Sequence, residues 1–481
     1  VHDNKVGQNL TGKYLTALTA NSLGSFEVDA ASLDLMERSW KTATSASGRR
    51  QVYGRTTGVG ANREVQVDQA LDQDLRLLRS HATGTGPYLS HDTVRAAMIA
   101  RLNQLLAGGS GMHPDIVEAM SKSLAQDDLP RVHASSAIGT ADLSQFAEIA
   151  LGLMGEADLE SGRRDPLWHP RPGDALAFIS TNAMGVARGM AACRAMEHYI
   201  AHYEAVASLS LIATRGSTEA FDEFVHASRP QPHQASTAAR IRALVADHEW
   251  VPRRVQDSYG FRALPQVLGP AIHSLESYSA ALDIELNSAA ENPVVSADRD
   301  DVFHNANFHT QALALACDHS KLALFGVANL STRRLANLTE PAFTGLDPFL
   351  AVGPAGSSGV MLLEYIAAAA LARFRNSSAP ATLGTVTISR GTEDHASFHT
   401  QAIDQTHECI QSANEVLGCE LIAAVRALRI LGVSLDPITP LGAYLQRASS
   451  VLDPNSLDRP LTQDLENAVD FLTQSHGLKG I

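Results

Sequence analysis

Apolar residues recur at helical spacing along most of this chain. In 93–107, "TVRAAMIARLNQLLA", Val94, Met98, Leu102 and Leu105 share one face, with Arg95 and Arg101 off it. A second helix is predicted over 114–125, with Pro114 suited to its first turn. Residues 133–158, "HASSAIGTADLSQFAEIALGLMGEAD", read as a loop followed by a helix. Longer Ala/Leu-rich runs follow at 180–212, 265–290, 308–336, 358–375 and 400–432. Several exceed the usual globular helix length, which points to a bundle of long helices. Strand signals are few: "QVYG" at 51–54 and "VTIS" at 386–389. Pro/Gly punctuation is dense at 54–60, 84–87, 108–114, 166–173 and 341–359, and no internal repeat stands out. The expectation is a mostly α chain in two parts. Residues 1–190 form an irregular, mostly helical N-terminal part, and 191–481 a long-helix core.

Composition narrows the partners. The 481 residues are 44% hydrophobic and carry a net charge of −14, with no long Lys/Arg run, so neither nucleic acid nor an anionic membrane is an expected partner. No stretch reaches the roughly 18 consecutive apolar residues of a membrane span. The first 15 residues lack a basic segment followed by an apolar one, so they do not read as a signal peptide. Cys193, Cys317, Cys409 and Cys419 show neither metal spacing nor a disulfide framework, and a reducing cytoplasm is the expected location. Aromatics are only 5%, and the abundant small residues favour close helix packing.

Five polar clusters stand beside glycine-rich or loop-like sequence. In "VYGRTTGVGANRE" (52–64), Gly54, Gly58 and Gly60 make a mobile loop that exposes Tyr53; the plain alternative is a packed tyrosine with a satisfied hydroxyl. In "RSHATGTGPYL" (79–89), His81 precedes two glycines, and a lone histidine is more often structural than catalytic. In "QDSYGFRALPQ" (256–266), Tyr259 and Arg262 share a face if helical and could meet one ligand, or form a surface Arg stacked on a Tyr. The stretch 285–312 is rich in Asn and His and also reads as a turn. In "SRGTEDHASFHTQ" (389–401), His395 and His399 are four apart, but two histidines without a third ligand do not make a metal centre, and no metal is expected.

Taken in order, these blocks resemble the histidine, phenylalanine and tyrosine ammonia-lyase family over nearly the full length. The matching segments include "VYGRTTGVG", "LLRSHATGTG", "VRAAMIARLNQLLAGGSG", "ADLSQFAEIALGLMGE", "QDSYGFRALPQVLG", "ELNSAAENPVV", "NFH", "STRRL" and "GTEDHAS". The resemblance implies an all-α ammonia-lyase fold with a central bundle of long helices, as in the aspartase/fumarase-like enzymes. It implies a homotetramer with shared active sites and a small-molecule substrate. Tyr53 falls on the family's loop tyrosine, a candidate general base. His81 falls on a substrate side-chain contact, Tyr259 and Arg262 on a tyrosine and a carboxylate-binding arginine, and Phe308 on an aromatic lining the site. Glu393 falls on the acidic residue that faces the imidazole in histidine lyases. On this resemblance Tyr53 and His81 come from one subunit, and Tyr259, Phe308 and Glu393 from others.

The departures from the family pattern carry as much information. The family's Ala-Ser-Gly triplet cyclises into an electrophilic imidazolone, the prosthetic group MIO, and its place is taken here by Gly139-Thr140-Ala141. Glycine at the third position lets the backbone approach closely, whereas Ala141 adds a methyl. Dehydration of Thr140 would give a crowded, poorer acceptor. The family's "LNGT"-like turn reads "FISTN", so Ser180 stands in the place of an Asn, with Asn182 two residues on. Ser357 and Glu364 stand where the family usually has Asn and Gln. Ser180, Asn182, His81, Arg262, Phe308 and Glu393 are therefore read as substrate-binding, Tyr53 and Tyr259 as catalytic, and MIO as absent. The leading expectation is an MIO-independent lyase-type enzyme that acts by elimination, isomerisation or cyclisation on a carboxylate-bearing, amino-acid-like substrate, a specialised metabolite among the options. The alternatives are a histidine or aromatic amino acid ammonia-lyase with a Thr-derived MIO, and a non-catalytic ligand-binding homologue.

Overall fold

A computed structural model describes residues 5–7, 9–20, 27–67 and 71–474. The signal-peptide expectation falls partly on residues 1–4 and 8, outside the described residues. The chain is mostly helical, 61% helix against 5% strand. Four helices are long: Ala183–Ala213, Leu264–Leu286, Gln311–Thr339 and His399–Ile430. Their bounds fall within a few residues of the Ala/Leu-rich runs, because small and straight-chain residues lose little freedom in a helix. The two expected strands do not form. Residues 51–54 are a turn, and 386–389 contributes only an isolated bridge between Ile388 and Glu393.

Two compact units make up the chain. The first comprises Val1–Ala191, Ser279–Leu315 and Pro380–Ile403; the second comprises Ala192–Tyr278, Ala316–Ala379 and Asp404–Ile481. Two segments that the sequence reading placed in the C-terminal part thus belong with the first unit. That unit is also more regular than expected. It contains the helices Ala30–Arg49, Leu71–His81, His91–Leu106, Asp115–Gln126 and Leu143–Leu153. Two short antiparallel pairs join Thr85–Tyr88 to His133–Ser135 and Val294–Ser296 to Asp301–Phe303.

The 91–106 helix corrects a second expectation. Arg95 and Arg101 are fully buried rather than facing away from the core. Buried guanidinium needs a full set of acceptors. Arg101 finds Glu291 at 2.6 Å, the Phe178 carbonyl at 3.1 Å and the Ala177 carbonyl. Arg95 binds Asp127 and the Leu124 carbonyl. In the second unit, Arg334 and Glu420 form a buried bidentate pair. Among the described residues, no helix is long and apolar enough to cross a membrane.

Candidate active site

A cavity of about 850 Å³ opens in the first unit. Its wall is assembled from segments distant in sequence: the Tyr53 loop, His81, Thr140 and Ala141, Ser180, the 304–309 turn and the 389–395 turn. Tyr53 sits on an irregular loop in which Gly54 and Gly60 adopt positive φ, a region that favours glycine. Gly60 has φ of +54°, and a Cβ there would lie 2.6 Å from Ser389 Oγ. The loop is hydrogen-bonded to the 389–392 turn. Ala61 N–H donates to Ser389 Oγ at 2.9 Å, and Arg63 donates to Thr392 Oγ1 at 2.7 Å.

Tyr53 is half-buried, and its hydroxyl accepts a hydrogen bond from Gly60 N–H at 2.7 Å. Burial pushes the phenol's pKa up. The Gly60 hydrogen bond and Arg63 work against that, while Glu393 adds to it. The ligand-free cavity therefore holds Tyr53 as a neutral phenol.

Three further histidines on this wall escaped assignment from sequence: His304, His309 and His395. Tyr53 N–H donates to His304 Nε2 at 3.1 Å, so His304 carries its proton on Nδ1; burial and then Arg50 lower its pKa. His309 Nε2 and His395 Nδ1 lie 3.0 Å apart with ring centroids at 5.1 Å. Burial and then His395 lower the pKa of His309, so the pair shares one proton rather than holding two charges. His81 Nδ1–H donates to the Leu77 carbonyl at 2.9 Å, which leaves Nε2 as the lone-pair nitrogen of the neutral ring. His395 and His399 do not share a helix. The helix starts at His399, which is buried, and His395 lies before it in the turn. The signal for His304 and His309 was present in "VFHNANFH", but only Phe308 was taken from it, and His395 was weighed only as a metal ligand.

At residues 139–141 the backbone is unusual. Gly139 has φ of +82° and Ala141 φ of +107°, a region that favours glycine. The Gly139 carbonyl accepts Thr310 N–H at 3.3 Å and faces the Thr310 and Ser397 hydroxyls, each at 3.1 Å. A Cβ at Gly139 would collide with Ser397 Oγ at 2.0 Å. Asp142, next in sequence, is buried and accepts from Gly185 N–H at 3.0 Å; burial pushes its carboxyl up to about 6 against these hydrogen bonds.

The remaining expected residues divide. Ser180 lines the cavity, and its hydroxyl accepts from Asn292 N–H at 3.0 Å. Asn182 does not reach it. It is buried, accepting from Gln104 Nε2 at 2.7 Å and donating to Glu285 Oε2 at 2.6 Å. Phe308 and Glu393 line the same single-chain cavity as Tyr53 and His81, which corrects their assignment to different subunits. Tyr259 and Arg262 belong to the second unit and are not among the lining residues. Tyr259 is 67% exposed, and the Arg262 guanidinium stacks on its ring at 4.2 Å.

The sequence profile of the aromatic amino acid lyases matches residues 13–450. The chain belongs to the aromatic amino acid lyase family. It is 33% identical to a histidine ammonia-lyase of Geobacillus thermodenitrificans, over 97% of each chain. A histidine ammonia-lyase of Bacillus subtilis is 30% identical over 97% of this chain and 95% of its own. The crystal structure of tyrosine aminomutase from Streptomyces globisporus superposes with a TM-score of 0.90 at 28% identity, covering 99% and 97% of the two chains. An ergothionase from Treponema denticola shares the fold, with a TM-score of 0.93 at 22% identity over 98% and 99%. Aromatic amino acid lyases form their prosthetic group from their own residues, not from an external cofactor.

Proposed function

We propose that this chain is a lyase-type enzyme that works without MIO. Its substrate would be a carboxylate-bearing, amino-acid-like molecule with a polar or basic side group. The observation that carries this reading is a mismatch within one cavity. Tyr53, His81 and Glu393 converge there, yet the adjoining segment offers Thr140 and Ala141. Ser180 is engaged by a backbone N–H, and Asn182 is tied to Gln104 and Glu285. These side chains support a site that works without MIO.

Chemistry without an electrophile is feasible when the departing proton lies α to a carbonyl or carboxylate, since the enolate-like charge is spread over oxygen. Tyr53 takes that proton. The electron pair it leaves forms the new carbon–carbon π bond, or closes a ring, as the neighbouring carbon–heteroatom bond breaks. The leaving amine or hydroxyl takes the bonding pair and a proton from the His309–His395 pair in its singly protonated, cationic form. Tyr53 must first release its own proton to solvent, which burial opposes; a cationic ligand beside Arg63 would favour the phenolate. In a homotetramer, another copy supplies Tyr259 and the carboxylate-binding Arg262. A monomer by light scattering at micromolar concentration contradicts that part.

One observation favours a second reading, a Thr-derived prosthetic group. Ala141 keeps a glycine-like backbone, and donors surround the Gly139 carbonyl. Intact mass decides between the two. The proposal expects the unmodified mass of the chain; cyclisation would remove two waters, roughly 36 Da by covalent arithmetic. A metabolite screen then identifies the ligand, and a chain that binds a ligand without converting it overturns the enzymatic reading.

A further inference from the structure

Among the described residues, one group outside the cavity brings three metal-ligating side chains together: His233, His273 and Glu276, in the second unit. His273 and Glu276 are three apart on the 264–286 helix, so they project from one face. His233 arrives from a different element, as the residue preceding the Gln234–Val245 helix. Its Nε2 lies 2.8 Å from Glu276 Oε2, and its ring centroid is 6.0 Å from that of His273.

The approach of the two elements is built into the backbone. Gly269 lies one turn before His273. A Cβ there would stand 3.0 Å from the Pro232 carbonyl, 3.1 Å from Gln234 N and 3.2 Å from the His233 carbonyl carbon. Only a bare backbone lets the 232–234 segment seat against the helix. His233 is held there in the left-handed region, with φ of 61°. A non-glycine residue in that region carries a conformational cost, which the packing at Gly269 sustains.

We propose that His233, His273 and Glu276 form a binding site for a divalent transition-metal ion, zinc in particular. Two neutral imidazoles and one carboxylate are ligands zinc accepts, at about 2.0–2.2 Å. Ligand atoms around a tetrahedral ion at that range stand roughly 3.4 Å apart. The three potential donors already lie within 4.8 Å of one another. The His233–Glu276 contact has to open by a few tenths of an ångström, and His273 has to close in. A metal would displace the proton now shared between His233 and Glu276. Three protein ligands leave a fourth position for water. The ion would clip the start of the 234–245 helix to the 264–286 helix, a stabilising role separate from the catalytic cavity.

The test uses the full chain, free of any polyhistidine tag and stripped with chelator. Equilibrium dialysis against zinc sulfate, with metal measured by elemental analysis, is expected to give one zinc per chain. His273→Ala and Glu276→Gln should each weaken binding at least tenfold, while His395→Ala, in the cavity, retains it. Cobalt(II) should give the intense visible absorption of a tetrahedral site in the unmodified chain and lose it in the two clip variants. Zinc should raise the melting temperature of the unmodified chain and of His395→Ala, but not of the two clip variants. Circular dichroism checks that the variants fold, and His233→Gln serves if either fails. Absence of zinc uptake by the unmodified chain overturns the proposal. So does full stoichiometry in the clip variants, or loss in His395→Ala alone.

Discussion

Each unit carries a polar constellation, buried in the second and lining an open cavity in the first, and the two are organised in opposite ways. In the second unit, Glu420 receives Arg334 through both carboxylate oxygens, at 2.6 and 2.8 Å, and also the hydroxyls of Ser210 at 2.7 Å and Ser331 at 2.5 Å. Arg334 donates further to the Tyr203 hydroxyl at 2.7 Å and the Gly260 carbonyl at 3.1 Å. Burial pulls the arginine's pKa down, yet Glu420 and Tyr203 more than reverse it, and the net shift is upward. Such a network has no spare capacity for a ligand. In the first unit, the cavity holds a neutral tyrosine, a histidine pair sharing a proton and His81 with a lone-pair nitrogen. Saturated hydrogen bonding marks the structural site, and unspent donors and acceptors mark the chemical one.

The contrast can be broken most forcefully at the saturated end. Glu420→Ala leaves Arg334 buried without its counter-charge and is expected to cost about 3–5 kcal/mol of stability. Urea unfolding measures this, and a loss under 1 kcal/mol would deny the network its structural role. Tyr53→Phe should behave in the reverse manner, with folding nearly unchanged and turnover down by about two to four powers of ten. Steady-state kinetics on the identified substrate checks it; full activity would transfer the base role to Tyr259.

A smaller effect concerns pH. Burial pushes Asp142 up to about 6 and Asp174 up to about 7, above the ordinary carboxylate range. Between roughly pH 4 and those values the folded chain binds more protons than the unfolded one, so stability falls as pH rises through the window. Their contribution is fully present below the unfolded pKa and lost above about 7. The variant Asp142→Asn/Asp174→Asn should flatten that decline by about 4 kcal/mol in melts at pH 5 and pH 8. An unaltered slope would show that these carboxyls ionise freely. Smallest of all, Ala141→Gly should relieve a positive φ and stabilise the chain by about 1 kcal/mol. Destabilisation would mean that the Ala141 methyl packs usefully.

Much of the helical framework was legible because it is periodic. The runs at 265–290, 308–336 and 400–432 became helices within a few residues of their expected bounds. The buried state of Arg95 and Arg101 was not legible, since their acceptors lie on other elements; Glu291 is 190 residues from Arg101. The cavity shows the same divide. Tyr53, His81, Phe308 and Glu393 stood in distinctive blocks, and they do share a wall. His304 and His309 did not stand out, because a histidine in an Asn-rich turn has no periodic signature. Asn182 looked available because Gln104 and Glu285, which occupy it, lie 78 and 103 residues away.

The donors gathered around the Gly139 carbonyl have a spectroscopic consequence. Thr310 N–H reaches it, and the Thr310 and Ser397 hydroxyls, 2.8 Å apart, deliver at least one more proton. Hydrogen bonds to a peptide oxygen favour the charge-separated resonance form, with a weaker C=O and a stiffer C–N bond. The 139–140 amide should therefore vibrate at lower frequency than ordinary peptide groups. A single carbon-13 label at that carbonyl would isolate its infrared band, a built-in gauge beside Thr140 at the cavity wall that registers a ligand's arrival as a change in oscillator strength and frequency.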